Sequence, residues 1–434
     1  MPAMICRMPF THDVAIIGGG PAGSTAATLL ARKGWRVVLC EKEIFPRFKI
    51  GESLLPHSLE LFDKLGVREQ LDAHAFPKYG GEIATACGRR IKRFYFESAL
   101  QLRHRKAYQV DRAWFDKMLL AHSAANGAEV RQPCSVKSLD CDDEGVTLAT
   151  TGGELRVRYL LDCSGRNAVV GSQFDLKRRY DHLQKFSVYA HFEGVLRDAG
   201  RDATLTRLVR GAKNWFWMIP LDDRRTSVGV VMELADYRAE KRTPEETLEY
   251  AIAGSELMRS RMVSARRLTE VHATGDYSYR NTRLHGTRWI LAGDAAGFID
   301  PIFSTGVFLA LHSGEKAAAS IDFALRRPAF SRLRFASYAR GLNRLMDRYL
   351  RFVDAWYTRE FVDVFTTPRP PLRIPQAVNS VLGGNIHPRF GVWWRLQLFY
   401  LVLWIQKRHP IVPRLEEQKD EAAAAMADVG SGGV

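Results

Sequence analysis

Residues Val14 to Gly23 read Val-Ala-Ile-Ile-Gly-Gly-Gly-Pro-Ala-Gly, an apolar run that breaks into glycines and continues into the small-residue stretch Ser24–Lys33. A second apolar run, Val37-Val38-Leu39-Cys40, ends on Glu41. Strand, glycine turn, helix, strand and acid in that order predict a βαβ unit built to hold a dinucleotide. Gly18 permits the tight turn, Gly20 lets the backbone approach a pyrophosphate, and Gly23 lets the helix pack closely on the strand. Pro21 and Ala22 then stand at the helix start, where the phosphates meet its N-terminus. Glu41 is placed to accept hydrogen bonds from a ribose, with Lys42 beside it.

A chain of 434 residues exceeds the usual size of one hydrophobic core, and 46% hydrophobic with 26% charged residues describes a soluble globular protein. Its six cysteines, Cys6, Cys40, Cys87, Cys134, Cys141 and Cys163, are scattered without a CxxC pair or a Cys/His cluster. Neither a metal site nor a disulfide framework is expected, and a reducing cytoplasm is the simpler setting. Residues 1–11 carry no long apolar run ending in a cleavage site, so no export signal is expected. The net charge of +15 is spread along the chain rather than gathered beside stacking aromatics, which argues against nucleic acid and for a field that attracts anions.

Strand-like runs at Val14–Ile17, Arg36–Cys40, Gly145–Thr150, Leu155–Cys163 and Trp289–Leu291 are expected to share one sheet although they lie far apart. The fold class is therefore α/β: a discontinuous Rossmann-like domain that binds the dinucleotide, a β-sheet substrate domain and a C-terminal helical region. Residues 12–180 form the first part of the cofactor domain, interrupted by an active-site segment. Residues 181–280 form the substrate sheet, through alternating runs such as Phe186–Phe192 and Ser227–Met232. Residues 281–330 return to the cofactor domain, 331–415 are helical, and the tail 416–434 is expected to be disordered. The run Leu398–Ile405 is apolar all round but far shorter than the ~20 residues of a membrane span. A buried core helix is expected there, with a helix lying on a membrane surface as the alternative.

Two later segments sharpen the dinucleotide to FAD. Leu160-Leu161-Asp162-Cys163-Ser164-Gly165 is an apolar strand reaching an Asp-x-Ser-Gly turn, and Trp289-Ile290-Leu291-Ala292-Gly293-Asp294 is another reaching Gly-Asp. Asp294 stands where a carboxylate meets the ribityl hydroxyls, and Gly293 lets the backbone approach. Together with the fingerprint, these segments resemble the FAD-dependent monooxygenase superfamily over residues 13 to about 325. That resemblance counts Asp162 among the cofactor contacts and sets Arg112, in Val110-Asp111-Arg112-Ala113-Trp114-Phe115-Asp116, beside the flavin; read alone, Arg112 could equally be a helix-surface cation.

Within that superfamily the chain resembles the flavin-dependent halogenases of phenol or pyrrole type. The resemblance rests on Phe45-Pro46-Arg47-Phe48-Lys49-Ile50-Gly51-Glu52-Ser53-Leu54-Leu55-Pro56, on Trp215-Phe216-Trp217-Met218-Ile219-Pro220, on Asp300-Pro301-Ile302-Phe303-Ser304-Thr305-Gly306-Val307, and on Lys78 in Phe76-Pro77-Lys78-Tyr79-Gly80-Gly81. It implies that FADH2 and O2 convert chloride or bromide into hypohalous acid, which Lys78 presents to an electron-rich aromatic substrate, free or on an acyl carrier protein. It further implies a halide held at Ser304, Thr305 and Gly306, with Gly306 also touching the flavin, and cofactor contacts from Arg47 and Ser53. Glu52, Trp215, Trp217, Pro301 and Phe303 then wall the flavin or the substrate pocket. Taken without the resemblance, Lys78 could be an exposed turn residue, the 304–306 amides could merely touch the flavin, Ser53 could cap a helix, and the tryptophans could be a buried aromatic strand. No nicotinamide fingerprint is seen, which fits delivery of FADH2 by a separate flavin reductase. The rivals are a flavin hydroxylase, a reductase of the geranylgeranyl reductase type, and a flavoprotein scaffold without chemistry.

Overall fold

The structure of the protein, a computed structural model, describes residues 9–275, 277–367, 371–385 and 388–414. Residues 368–370, the tail from residue 416 and Cys6 fall outside them.

One sheet collects all five strand runs expected to share it. Its order is Glu129–Arg131, Val37–Cys40, His12–Ile17, Gly153–Asp162, Val146–Thr150, Val136–Cys141, with Trp289–Leu291 also pairing with Gly153–Asp162. The central pairings are parallel, Val14 opposite Val37 and Tyr159, Ile17 opposite Cys40 and Asp162. Both faces of these strands are covered, which is why they read as continuous apolar runs: Val14, Ala15 and Ile16 are fully buried. Because the parallel strands finish together, Gly18, Glu41, Cys163 and Ala292 come to one edge, the carboxyl edge where such sheets bind ligands.

The helix Pro21–Ala31 leaves that edge. Gly18 has φ +98°, and a Cβ there would lie 2.4 Å from the Cys163 carbonyl oxygen; a Cβ on Gly23 would lie 1.9 Å from the Gly18 oxygen. The glycine at 23 thus sets how closely helix and strand approach.

A second, eight-stranded sheet is built around Lys185–Glu193, Arg225–Glu233, Asn214–Pro220 and Thr206–Arg210. Phe186–Phe192 pairs antiparallel with Thr226–Met232, as the alternating pattern requires. The sheet also recruits the hairpin Gly80–Thr85 and Ile91–Tyr95 from within the first stretch of the chain, Gly80–Thr85 pairing parallel with Thr206–Arg210. That recruitment brings the Lys78 segment beside the sheet.

The chain then runs through Thr305–Arg326, Ser331–Trp356, Arg359–Phe365, Ile374–Leu382 and Phe390–Arg408, all helical. The last helix corrects the expectation for Leu398–Ile405. Val392, Leu396, Phe399, Leu403 and Gln406 are buried along one face, whereas Trp393, Leu401 and Trp404 are each about half exposed. Helical spacing, not the all-round apolar composition, decides which side packs. None of the described helices is long and apolar enough to cross a membrane.

A Gly23→Ala variant is expected to lose ~1–3 kcal/mol of stability, the cost of overpacking a tight contact, and to bind FAD more weakly. Thermal unfolding and a flavin titration check this, with Gly152→Ala as the control, since the nearest atom to a Cβ there is 3.7 Å away.

Candidate active site

At the carboxyl edge of the first sheet and against the face of the second lies a cavity of about 520 Å³, within the ~300–1,000 Å³ typical of cofactor sites. Gly18, Gly20, Pro21 and Ala22 line one end, with Glu41 and Lys42. The Pro21 helix presents its first amides there, with no side chain capping them. Glu41 Oε2 accepts from Gly19 N at 2.6 Å and Oε1 from Glu43 N at 2.9 Å, so the carboxylate is braced at the cavity wall.

Midway, Arg47, Arg112, Gly293 and Asp294 line the cavity. Arg112 opens the helix Arg112–Ala125 and is 7% exposed. It donates to both oxygens of Asp116, one turn on, at 2.8 and 2.9 Å, and to the Ile50 carbonyl at 2.8 Å. Arg47 donates to the same Asp116 at 2.9 Å. One fully buried carboxylate therefore fixes two guanidinium groups at the wall. Burial pushes the Asp294 carboxyl above its usual range, opposed by Lys49, Arg166 and Arg112. An uncapped helix N-terminus, glycines at close approach, a cavity-facing carboxylate and fixed cations form the donor and acceptor set that a pyrophosphate and a polyol chain require, so the residues fit FAD.

Asp162 departs from the expectation. It is fully buried, its Oδ1 accepts from Ser164 N at 2.9 Å and its Oδ2 from Val170 N at 2.8 Å, and it does not reach the cavity. Its carboxylate shapes the turn that carries Ser164 and Gly165, both of which do line the cavity. Gly23 likewise acts through packing rather than by facing the cavity.

The far end is bounded by Glu52, Ser53, Trp215, Trp217, Pro301, Ser304 and Gly306. Ser304 has φ +56°, an uncommon conformation for a residue with a Cβ, and precedes the 22-residue helix Thr305–Arg326 without capping it. The first amides of that helix are thus without a side-chain partner at a positive helix end. Thr305 is 4% exposed and its neighbours, not its own side chain, face the cavity. Trp215 and Trp217 point to the same side of their strand and Phe216 to the other, into a separate core cluster. Trp217 lies over Gly229 on the next strand, where a Cβ would come within 2.2 Å of its ring. Trp215 donates to the Tyr357 hydroxyl at 3.0 Å, and that hydroxyl donates to Asp300 at 2.8 Å. Asp300 also accepts from Ile302 N, and burial pushes its carboxyl up to about 6. The C-terminal helical region is in this way tied to both the tryptophan strand and the 300–306 loop.

Lys78 does not face this cavity. It lines a second, much smaller one of about 30 Å³, walled by Phe94, Phe96, Phe303 and Leu382 among others. Thr206, Leu208, Ile302 and Ser304 line both, forming the neck between them. The strand Phe76–Lys78 pairs with Ala107–Gln109, which carries Lys78 inward to 4% exposure. Its Nζ donates to Ser53 Oγ at 2.7 Å and to the Leu54 carbonyl at 3.2 Å. Ser53 Oγ lies 3.0 Å from Thr206 Oγ1, which is bonded in turn to Gln109. Ser53 therefore supports the amine rather than capping a helix. Burial, unopposed by any carboxylate, lowers the Lys78 pKa to about 7.

Sequence reasoning missed Asp116, Lys49, Arg166 and Tyr357. Asp116 had a signal, its i, i+4 spacing from Arg112, and Lys49 comes with the Phe45–Pro56 segment; Arg166 and Tyr357 come to the site only through the tertiary fold.

Lys78 binds its proton more weakly folded than in the unfolded chain, where the pKa is ~10.4. Between about 7 and ~10.4 the unfolded state therefore carries more protons, and stability rises with pH. A Lys78→Met variant should gain ~1–4 kcal/mol below pH 7, with the gain shrinking toward pH 10; denaturant titrations at pH 6 and pH 9.5 measure the difference.

A model of the FAD binding domain family matches residues 11–333. The chain is 30% identical over 404 residues to a 1H-pyrrole-2-carbonyl-[peptidyl-carrier protein] chlorinase of Pseudomonas fluorescens, covering 87% of this chain and 90% of that protein. It is 34% identical over 329 residues to a tryptophan 2-halogenase of Chondromyces crocatus, covering 73% of this chain and 62% of that longer protein. The solved structure of the flavin-dependent brominase Bmp2 superposes with a TM-score of 0.80 at 27% identity, covering 90% of this chain and 98% of that one. With the fold, the FAD cradle and these relatives together, the chain belongs to the flavin-dependent halogenases.

Proposed function

We propose that the chain halogenates an electron-rich aromatic ring, a phenol or a pyrrole, free or tethered to a carrier protein, with Lys78 presenting the halogen. When bound, reduced FAD supplies the activation of O2 that oxidises chloride or bromide to hypohalous acid. The 520 Å³ cavity holds the cofactor through the Pro21 helix N-terminus, Glu41, the Arg47–Asp116–Arg112 clamp and Asp294. The uncapped amides that follow Ser304 bind the halide where that cavity narrows. Trp215 and Trp217 wall this end and keep substrate from the cofactor, so that only a small oxidant passes the neck of Thr206, Leu208, Ile302 and Ser304.

The observation that carries the reading is the environment of Lys78. An amine lowered to about 7 offers a lone pair near neutral pH and can take the halogen from hypohalous acid, by hydrogen bond or as a chloramine. Among the described residues, those lining its cavity include no carboxylate. Without a carboxylate base the ring must activate itself, which phenols and pyrroles do and an indole does less readily. The pyrrole-carrier specificity printed for the Pseudomonas relative agrees with that chemistry. FADH2 arrives from a separate flavin reductase, a reading that fits a sequence in which no nicotinamide fingerprint is seen.

The test supplies FADH2 from a separate flavin reductase with chloride or bromide and a phenol or carrier-linked pyrrole, and follows the isotope pattern of the product. Halogenated product should appear only with halide, with a rate that rises with pH through about 7. Lys78→Ala should lower it at least ~100-fold while peroxide and hypohalite formation continue. An oxygenated product formed without halide would overturn the reading, as would a Lys78→Ala variant halogenating at the normal rate.

A further inference from the structure

Glu52 precedes the serine that holds Lys78, and it lines the larger cavity at the end next to the neck. The segment is stitched in place by its backbone: the Glu52 carbonyl accepts from Val110 N at 2.8 Å, and Leu54 N donates to Tyr108 at 2.9 Å. The Glu52 side chain is 1% exposed. Its Oε1 lies 2.6 Å from Nε2 of His191, while Oε2 is buried without any hydrogen-bond partner. Buried polar atoms are nearly always paired, so an orphaned carboxyl oxygen on a residue that lines the cavity marks a place where a partner is missing among the described residues.

His191 is also buried, at 6% exposure, on the central strand Lys185–Glu193. The Phe48 ring packs against it with centroids 5.6 Å apart, and Phe48 in turn stacks on His272 at 4.1 Å. Arg112, held by Asp116, is the nearby fixed cation on the other side. The other carboxylates along the cavity, Glu41, Glu43 and Asp294, belong to the entrance and middle, where the glycine turn and the Gly293 segment lie. Glu52 is thus the carboxyl group placed beside Ser53 and the neck.

Halide oxidation needs a proton at that end. The balance is FADH2 + O2 + X⁻ + H⁺ → FAD + HOX + H2O: the O–O bond breaks, the halide gives an electron pair to one oxygen, and the other leaves as water. We propose that Glu52 delivers this proton to the departing oxygen through its unpaired Oε2 edge, and that His191 is the positioning residue that orients the carboxyl and returns a proton to it. The inference rests on the halogenase reading, and it adds a Glu52–His191 proton-donating pair to that site.

The experiment uses the full chain loaded with FADH2 by a separate reductase, in bromide. Four quantities are read: the FAD dissociation constant, the rate of reduced-flavin oxidation, hypobromite trapped by a reactive diketone, and hydrogen peroxide. Glu52→Gln should keep FAD affinity within ~3-fold and consume O2, but lose hypobromite ~100-fold, the scale of general-acid catalysis, with peroxide in its place. His191→Gln, which keeps a hydrogen-bonding side chain, should lose less, and its hypobromite yield should become steeply dependent on pH. Wild-type hypobromite yield in either variant overturns the proposal. So does a loss in Glu52→Gln that merely follows weaker FAD binding, which would make Glu52 a cofactor support. If the wild type itself makes no hypobromite, the halogenase reading fails first, a result distinct from any variant-to-wild-type ratio.

Discussion

A buried amine surrounded by neutral acceptors is the constraint on which the rest of this molecule turns. Lys78 has a serine hydroxyl and a backbone carbonyl for partners and no carboxylate, so burial acts on it without an opposing charge. Keeping such a group inside requires rigid walls. They come from three directions: the Phe76–Lys78 strand with the Gly80–Thr85 and Ile91–Tyr95 hairpin, the Glu52–Leu54 segment stitched to Tyr108–Val110, and the helix Ile374–Leu382, which contributes Leu382. Lys78 would relax its chemistry if any of these walls admitted water or a carboxylate.

The division of space into two cavities follows from that arrangement. The larger cavity is made by the edge of a parallel sheet, a structure that generates ligand sites wherever its strands end together. The smaller one exists because the second sheet recruits strands from an early, distant part of the chain. Trp215, Tyr357 and Asp300 brace the far end of the larger cavity, with a hydrogen-bond chain that runs from the second sheet through the helical region to the loop before Ser304. The two cavities meet at Thr206, Leu208, Ile302 and Ser304, which line both.

What could be read from the sequence followed how local each cause is. The Gly18–Gly23 turn was legible because only glycine tolerates both the positive φ and the 1.9 Å approach. Among the seven strands of the first sheet, Val14–Ile17, Val37–Cys40 and Trp289–Leu291 were legible because burial on both faces demands unbroken apolar runs. Asp162 was misread because a carboxylate at a strand end serves a ligand or its own turn equally well, and here two backbone amides claim it. The helix carrying Leu398–Ile405 was misread because composition says nothing about which face packs; Leu401 and Trp404 stay about half exposed. His191 and Arg166 reach the site by sheet register and chain crossing, whereas Lys49 comes with the Phe45–Pro56 segment between Arg47 and Glu52. Lys78 itself was picked out by family resemblance; its burial, and with it its weakened hold on a proton, is a property of the fold.

The claim at the centre of this account is that halide and amine occupy the two sides of one neck. A crystal structure with FAD and bromide, read by the anomalous signal of bromine, tests it most directly. The account predicts a bromide at the amides following Ser304, on the cofactor side of Thr206 and Leu208, with Lys78 on the other side and out of contact with the flavin ring. A flavin ring packed against Lys78, or a bromide bound at the amine with none at the Ser304 helix, would contradict it.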